Sequence, residues 1–75
     1  MNTNLTLKNN LKSFRFLKDQ ITQKDLAAEL NVSRQTILAI EKGKFNPSVV
    51  LALSMAEYFE CKVEDIFILK RETDK

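Results

Sequence analysis

Thr22-Gln23-Lys24-Asp25-Leu26-Ala27-Ala28-Glu29-Leu30-Asn31-Val32-Ser33-Arg34-Gln35-Thr36-Ile37 decides how this chain reads. Two helix starts stand in it. Thr22 is a hydroxyl residue able to accept a hydrogen bond from the unpaired N–H groups of a first turn, and Asp25 three residues on makes a short version of the capping box. Leu26, Ala27 and Leu30 then recur at helical spacing, and the alanines let a neighbouring helix approach closely. Asn31 tolerates the left-handed conformation that stops a helix. Val32 is apolar and can enter the core at the turn. Ser33 caps a second helix whose inner face is Ile37 and Ile40.

Working outward, the pattern predicts five helices, at about 9–18, 22–30, 33–42, 49–59 and 63–67. In the first, Leu11, Phe14 and Leu17 recur every three residues as a buried stripe, with Arg15 at its edge. Gly43, the only glycine, stands just past the third helix, where a left-handed stop is needed. Asn46-Pro47 ends the next loop and Ser48 caps the fourth helix, in which Leu51, Ala52, Met55, Ala56 and Phe59 suit burial. Val63, Ile66 and Phe67 serve the last helix, after the connection Glu60-Cys61-Lys62. Asn4-Leu5-Thr6-Leu7 alternates and Phe67-Ile68-Leu69-Lys70 is apolar, ending in charge, so the two ends are candidates for a two-stranded antiparallel sheet. The fold class expected is all-α, with that small sheet as its only β element.

Seventy-five residues are room for one domain, 1–75, with one core. A chain this short folds alone only marginally, so burial against a second copy is expected to help. With 44% hydrophobic and 29% charged residues the composition is globular, and one Gly and one Pro favour helices over many tight turns. The single Cys61 cannot close an intramolecular disulfide. Without histidine or a Cys cluster there is no metal site to expect, and no cofactor. The start lacks the basic and apolar regions of a signal peptide, and the longest strongly apolar run, Val49 to Leu53, is far short of a membrane span, so the expected compartment is the cytoplasm. Net charge is +2, but unevenly spread. From Lys8 to Asn46 there are eight basic and four acidic residues; from Pro47 onward, four basic and six acidic. The first part can face a polyanion while the second faces elsewhere, although ordinary surface scatter produces such a split too.

A capped helix, a three-residue turn and a second capped helix suit a helix-turn-helix at about 22–42, whose second helix enters the major groove by its N-terminal residues. Arg34 suits the O6/N7 edge of guanine, Gln35 the N6/N7 edge of adenine, and Thr36 a thymine methyl. By pattern alone, an unrelated helical hairpin stays open.

The same segment, with Ala39-Ile40-Glu41-Lys42-Gly43 and Asn46-Pro47-Ser48 after it, resembles the Cro and phage-repressor family of regulators, of the xenobiotic-response-element type. The resemblance runs from about Leu11 to Phe67. Asn9-Asn10-Leu11-Lys12 and Glu64-Asp65-Ile66-Phe67 are similar to its short stand-alone members of the cytolysin-repressor kind. It implies a lambda-repressor-like fold of five helices, a small sheet from the chain ends, and a homodimer on double-stranded DNA. Gln23 matches the family glutamine that binds a phosphate and buttresses the reading helix. Ser33, Arg34, Gln35 and Thr36 match the base-facing turn, and Lys42, Lys44 and Asn46 the loop along the DNA backbone. Arg15 and Glu41 match a structural pair joining the first and third helices. The chain departs from the pattern at Asn31, where glycine is common, and at Glu60 and Lys62, where glycine and serine are. The connection Asp19-Gln20-Ile21 is one residue longer than usual.

The expected function is a sequence-specific transcriptional regulator, a homodimeric repressor reading an inverted repeat. It would dimerise through about 49–71, with Leu53, Phe67 and Leu69 at the contact, and no small-molecule ligand is evident. The rival is an antitoxin-like or other module that grips a partner protein. An enzyme has little support, because no histidine, carboxylate cluster or Gly-rich phosphate loop is present. Cys61 reads as a packed apolar residue, Glu57, Glu60 and Glu64 as a solvated acidic face, and the aromatic residues mainly as core, with Phe16 and Phe45 the two expected at the surface.

Overall fold

The computed structural model describes residues 3–73. In chain order it comprises β1 (Thr3–Asn9), α1 (Leu11–Leu17), α2 (Gln23–Leu30), α3 (Arg34–Glu41), α4 (Val49–Phe59), α5 (Val63–Ile66) and β2 (Phe67–Thr73). The two strands pair antiparallel in a two-stranded sheet, with Leu7 opposite Leu69 and Asn9 opposite Phe67. The architecture is thus mostly helical rather than all-α. Its strands are longer than the alternating stretches of sequence suggested, because pairing carries the ladder through the polar residues on either side.

Three of the helix starts use the hydroxyls anticipated for them. The side chains of Thr22, Ser33 and Ser48 accept from the N–H groups of Asp25, Thr36 and Leu51 at 3.0–3.1 Å. At α5 the cap comes from inside the helix, where the Asp65 carboxylate accepts from the Lys62 N–H at 3.1 Å. Three helix ends share one device. Asn31, Gly43 and Glu60 all have positive φ, and the following N–H in each case reaches back to the carbonyl five residues earlier: Val32 to Ala27, Lys44 to Ala39, Cys61 to Ala56, all at 2.9 Å. Only Gly43 does this without a Cβ penalty. The α1–α2 connection is less regular: both Asp19 and Gln20 are left-handed before the Ile21 N–H returns to the Arg15 carbonyl.

Leu11, Leu26, Ala27, Ile37, Ile40, Met55, Ala56, Ile66 and Phe67 form the core. All the inward positions expected of the helices reach it or its fringe except Leu17, which is 83% exposed. Helical geometry explains the miss. At about 100° per residue, a step of three falls short of a full turn by about 60°, so Leu17 lies about 120° around α1 from Leu11. Arg15, four residues after Leu11, lies only about 40° away, and it is Arg15 that is buried.

A buried guanidinium requires a partner. Arg15 Nε donates to Glu41 Oε2 at 2.6 Å and Nη2 to Glu41 Oε1 at 3.2 Å, while Nη1 donates to the Ile21 carbonyl at 3.0 Å. Both side chains of the pair are about nine-tenths buried. One side chain thereby ties α1 to the end of α3 and to the connection before α2. Asn9 adds a second tie, its Nδ2 donating to the Ile40 carbonyl at 2.8 Å. Beside it, Asn10 donates from its backbone N–H to Ile66 at 2.8 Å and from Nδ2 to Asp65 at 3.1 Å, which fastens α5 to the start of α1.

Removing one member of a buried pair strands the other charge. Arg15→Ala is expected to lower stability by about 3–5 kcal/mol, while a double change to apolar residues of similar volume, Arg15→Met with Glu41→Leu, recovers most of the loss. Urea titration of the three proteins checks this; a wild-type midpoint for Arg15→Ala would show that the pair does not hold the helices together.

Candidate nucleic-acid interface

The first turn of α3 is built by the Ser33 cap. With the Ser33 side chain turned back onto the Thr36 N–H, the first turn of α3 projects from the body, and both Arg34 and Gln35 are exposed. Neither makes a side-chain hydrogen bond among the described residues, so both heads are free for a ligand. Ser33 and Thr36 differ from them. Their hydroxyls share a 2.9 Å hydrogen bond, and Thr36 is half-buried. Their polar atoms serve the cap and each other, so the free polar heads of this turn are those of Arg34 and Gln35.

Gln23 begins α2 and is half-buried, its Nε2 donating to Glu41 Oε1 at 3.0 Å. The amide is held by the same carboxylate that holds Arg15, which fixes where the rest of its hydrogen-bonding capacity points. Lys42, Lys44 and Asn46 are exposed around the left-handed stop at Gly43, on the segment leaving α3.

Sequence reasoning gave Phe45 no role in the site beyond exposure at the surface. It is 51% exposed and lines, with Ser33, Gln35, Thr36, Ala39 and Lys44, a concavity of about 390 Å³ between α3 and the loop after it. An apolar ring beside exposed polar heads offers contact to a thymine methyl or a sugar. The available signal was its place between Lys44 and Asn46. Lys24 was missed too: it is exposed and shares with Arg34 the lining of a concavity at the start of α2.

The predicted contact residues of the other half divide. Leu53 and Leu69 are 55% and 61% exposed, whereas Phe67 is 9% exposed and belongs to the core of its own chain. Val49 and Val50, at 75% and 74%, extend the apolar surface of α4 beside Leu53. Glu57, Glu60 and Glu64 are all exposed, as a solvated acidic face requires. Burial, followed by the charge of Asp65, pushes the Cys61 thiol above its ordinary pKa, the opposite of what an activated nucleophile needs. Among the described residues no helix is long and apolar enough to cross a membrane, and no group of three or more side chains could hold a metal ion.

Comparison with known proteins agrees with this geometry. The helix-turn-helix family pattern matches residues 16–66. An uncharacterized HTH-type transcriptional regulator of Methanocaldococcus jannaschii is 58% identical over 62 residues, covering 83% of this chain and 92% of its own length. Another, of Archaeoglobus fulgidus, is 46% identical over 66 residues, covering 88% and 92%. A third, of Bacillus subtilis, is 41% identical over 66 residues, covering 88% and 98%. Two capped helices around a left-handed Asn31, an exposed Arg34–Gln35 turn and these relatives lead to one conclusion: the chain belongs to the helix-turn-helix transcriptional regulators of Cro/C1 type, a family of DNA-binding proteins.

Proposed function

We propose that the protein is a homodimeric repressor that reads an inverted-repeat operator in the major groove. The observation that carries the reading is the division of the surface. Arg34 and Gln35 stand free at the first turn of α3, within the basic part of the chain, while the exposed leucines and valines of α4 and β2 belong to the acidic part. The basic part suits DNA; the exposed apolar residues of the acidic part suit a second copy. Two lambda-repressor-like subunits joined by that apolar surface would set their reading helices about 34–36 Å apart, one turn of the duplex.

Arg34 and Gln35 would read base edges. Lys42, Lys44 and Asn46 would follow the sugar–phosphate backbone, and Gln23 would bind a phosphate while its bond to Glu41 steadies it. Ser33 and Thr36 would add contacts from the capped turn, with Thr36 offering its methyl group. Backbone contacts of this kind set register and affinity; base contacts set sequence. A bound dimer of this size would act by occupying its operator and excluding other proteins from it.

Selection of bound duplexes from a random pool, at a stated salt concentration, should enrich an inverted repeat; a pool that stays random would sink sequence-specific binding. Against the enriched duplex, Arg34→Ala should lose about 1–3 kcal/mol and relax preference at one base pair of each half-site. An Arg34→Ala protein with unaltered base preference would remove Arg34 from the reading set. Leu69→Glu should move the mass measured by light scattering from dimer to monomer, and a mutant that stays dimeric would place the interface elsewhere.

A further inference from the structure

We infer that the DNA-contacting surface extends beyond the helix-turn-helix onto α1, where Lys12 supplies a second cation to a phosphate site at the meeting of α1, α2 and α3. The inference rests on the DNA-binding reading above and adds to it a residue and a place. A concavity of about 510 Å³ lies there, with Lys12 and Arg15 of α1, Gln23 of α2, and Glu41 and Lys42 at the end of α3 on its wall. Four of these side chains are ionised, three of them cationic. Arg15 and Glu41 neutralise each other, and theirs is the only ion pair among the described residues. Lys12 and Lys42 are therefore left as two exposed cations on the wall of one hollow, neither of them ion-paired among the described residues. Gln23 stands at the same hollow, and its amide, with one bond spent on Glu41, retains further donor capacity. Two ammonium groups and an amide on the wall of one concave site suit a phosphodiester oxygen.

The ring of Phe16 gives Lys12 its direction. Lys12 Nζ lies 5.9 Å from the ring centroid and Arg15 Cζ lies 5.8 Å from it. Both are within the range of cation–π attraction, so the ring favours positions of the ammonium near it. Phe16 also lines the neighbouring concavity that holds Lys24 and Arg34, and the two hollows share Arg15 and Gln23. The two adjoining hollows carry basic residues from Arg34, at the start of α3, to Lys42 at its end, and make up the proposed trough. A DNA strand whose bases meet Arg34 would have its backbone in this trough. The exposure of Phe16, off the buried stripe of α1, acquires a purpose: it is the floor on which Lys12 is held.

The test uses the full chain and the duplex enriched by selection. Binding constants are measured over a range of salt concentrations for the unaltered protein, Lys12→Ala and Lys62→Ala, after thermal melting has shown that all three are folded. Each phosphate contact contributes about 0.9 to the slope of log K against log salt. Lys12→Ala is expected to lower the slope by about that amount, with its base preference unchanged, whereas Lys62→Ala, which lies outside the trough, should keep the slope. Duplexes carrying single uncharged methylphosphonate linkages then locate the phosphate. One linkage per half-site should weaken the unaltered protein more than it weakens Lys12→Ala, which keeps only Lys42 and Gln23 at that phosphate; an equal loss in the two proteins would remove Lys12 from the site. An unchanged slope for Lys12→Ala, or an equal loss for Lys62→Ala, overturns the inference while leaving the DNA-binding reading intact. If the unaltered protein binds no duplex at all, the DNA-binding reading falls and this inference falls with it.

Discussion

A guanidinium buried in so small a domain constrains everything around it. Arg15 has left water and must be repaid within the protein, by Glu41 and by the Ile21 carbonyl. Those partners come from the end of α3 and from the connection before α2, so satisfying one side chain fixes three parts of the chain relative to each other. Glu41 in turn accepts from Gln23, which adds the start of α2. The angle at which α2 and α3 meet is therefore held by a polar hub on one side and by Leu26, Ile37 and Ile40 on the other. An apolar core alone would hold these helices with less regard for direction. Hydrogen bonds to a planar fork do specify direction.

The same hub shapes the electrostatics of the surface. By consuming the charge of Glu41, Arg15 removes an anion that would otherwise sit under the hollow between α1, α2 and α3. The basic residues around that hollow then act on solvent and ligand with little internal competition. Neighbours on one helix are turned apart: Arg15 is buried, Lys12 is exposed, and the Phe16 ring lies 5.8–5.9 Å from both cations.

Helix ends carry a further share of the design. Three left-handed stops of the same hydrogen-bonded form end α2, α3 and α4, and each lets the chain reverse in few residues. Val32 and Cys61, the residues after two of these stops, pack against the core, so each turn is anchored as well as closed. At the stop after α3 the chain instead leaves the core, which sets Lys44, Phe45 and Asn46 at the surface beside the reading helix. The terminal sheet is joined to this arrangement through Asn9, whose bond to Ile40 links β1 to the last turn of α3.

The sequence by itself determined the local grammar: where helices start, where they stop, and which pair makes the helix-turn-helix. Thr22, Ser33 and Ser48, with Asn31 and Gly43, were legible because caps and left-handed stops depend on a residue and its immediate neighbours. The first turn of α3 was legible for the same reason, and Arg34 and Gln35 are exposed on it. What depended on distance around a helix or across the molecule was decided only by the tertiary structure. Leu17 shared a three-residue spacing with Leu11 and Phe14, yet the drift of the helix turned it to solvent and Arg15 inward. Phe67 looked equally fit for the core or for a second subunit, and β2 turned it into the core while Leu69 stayed outside. Ser33 was legible as a cap, but its second bond, to the Thr36 hydroxyl, was shown only by the structure. That Lys12 and Lys42 line one hollow could not be read from the chain at all, because it depends on α1 and the end of α3 being brought together, and the buried bond between Arg15 and Glu41 joins them.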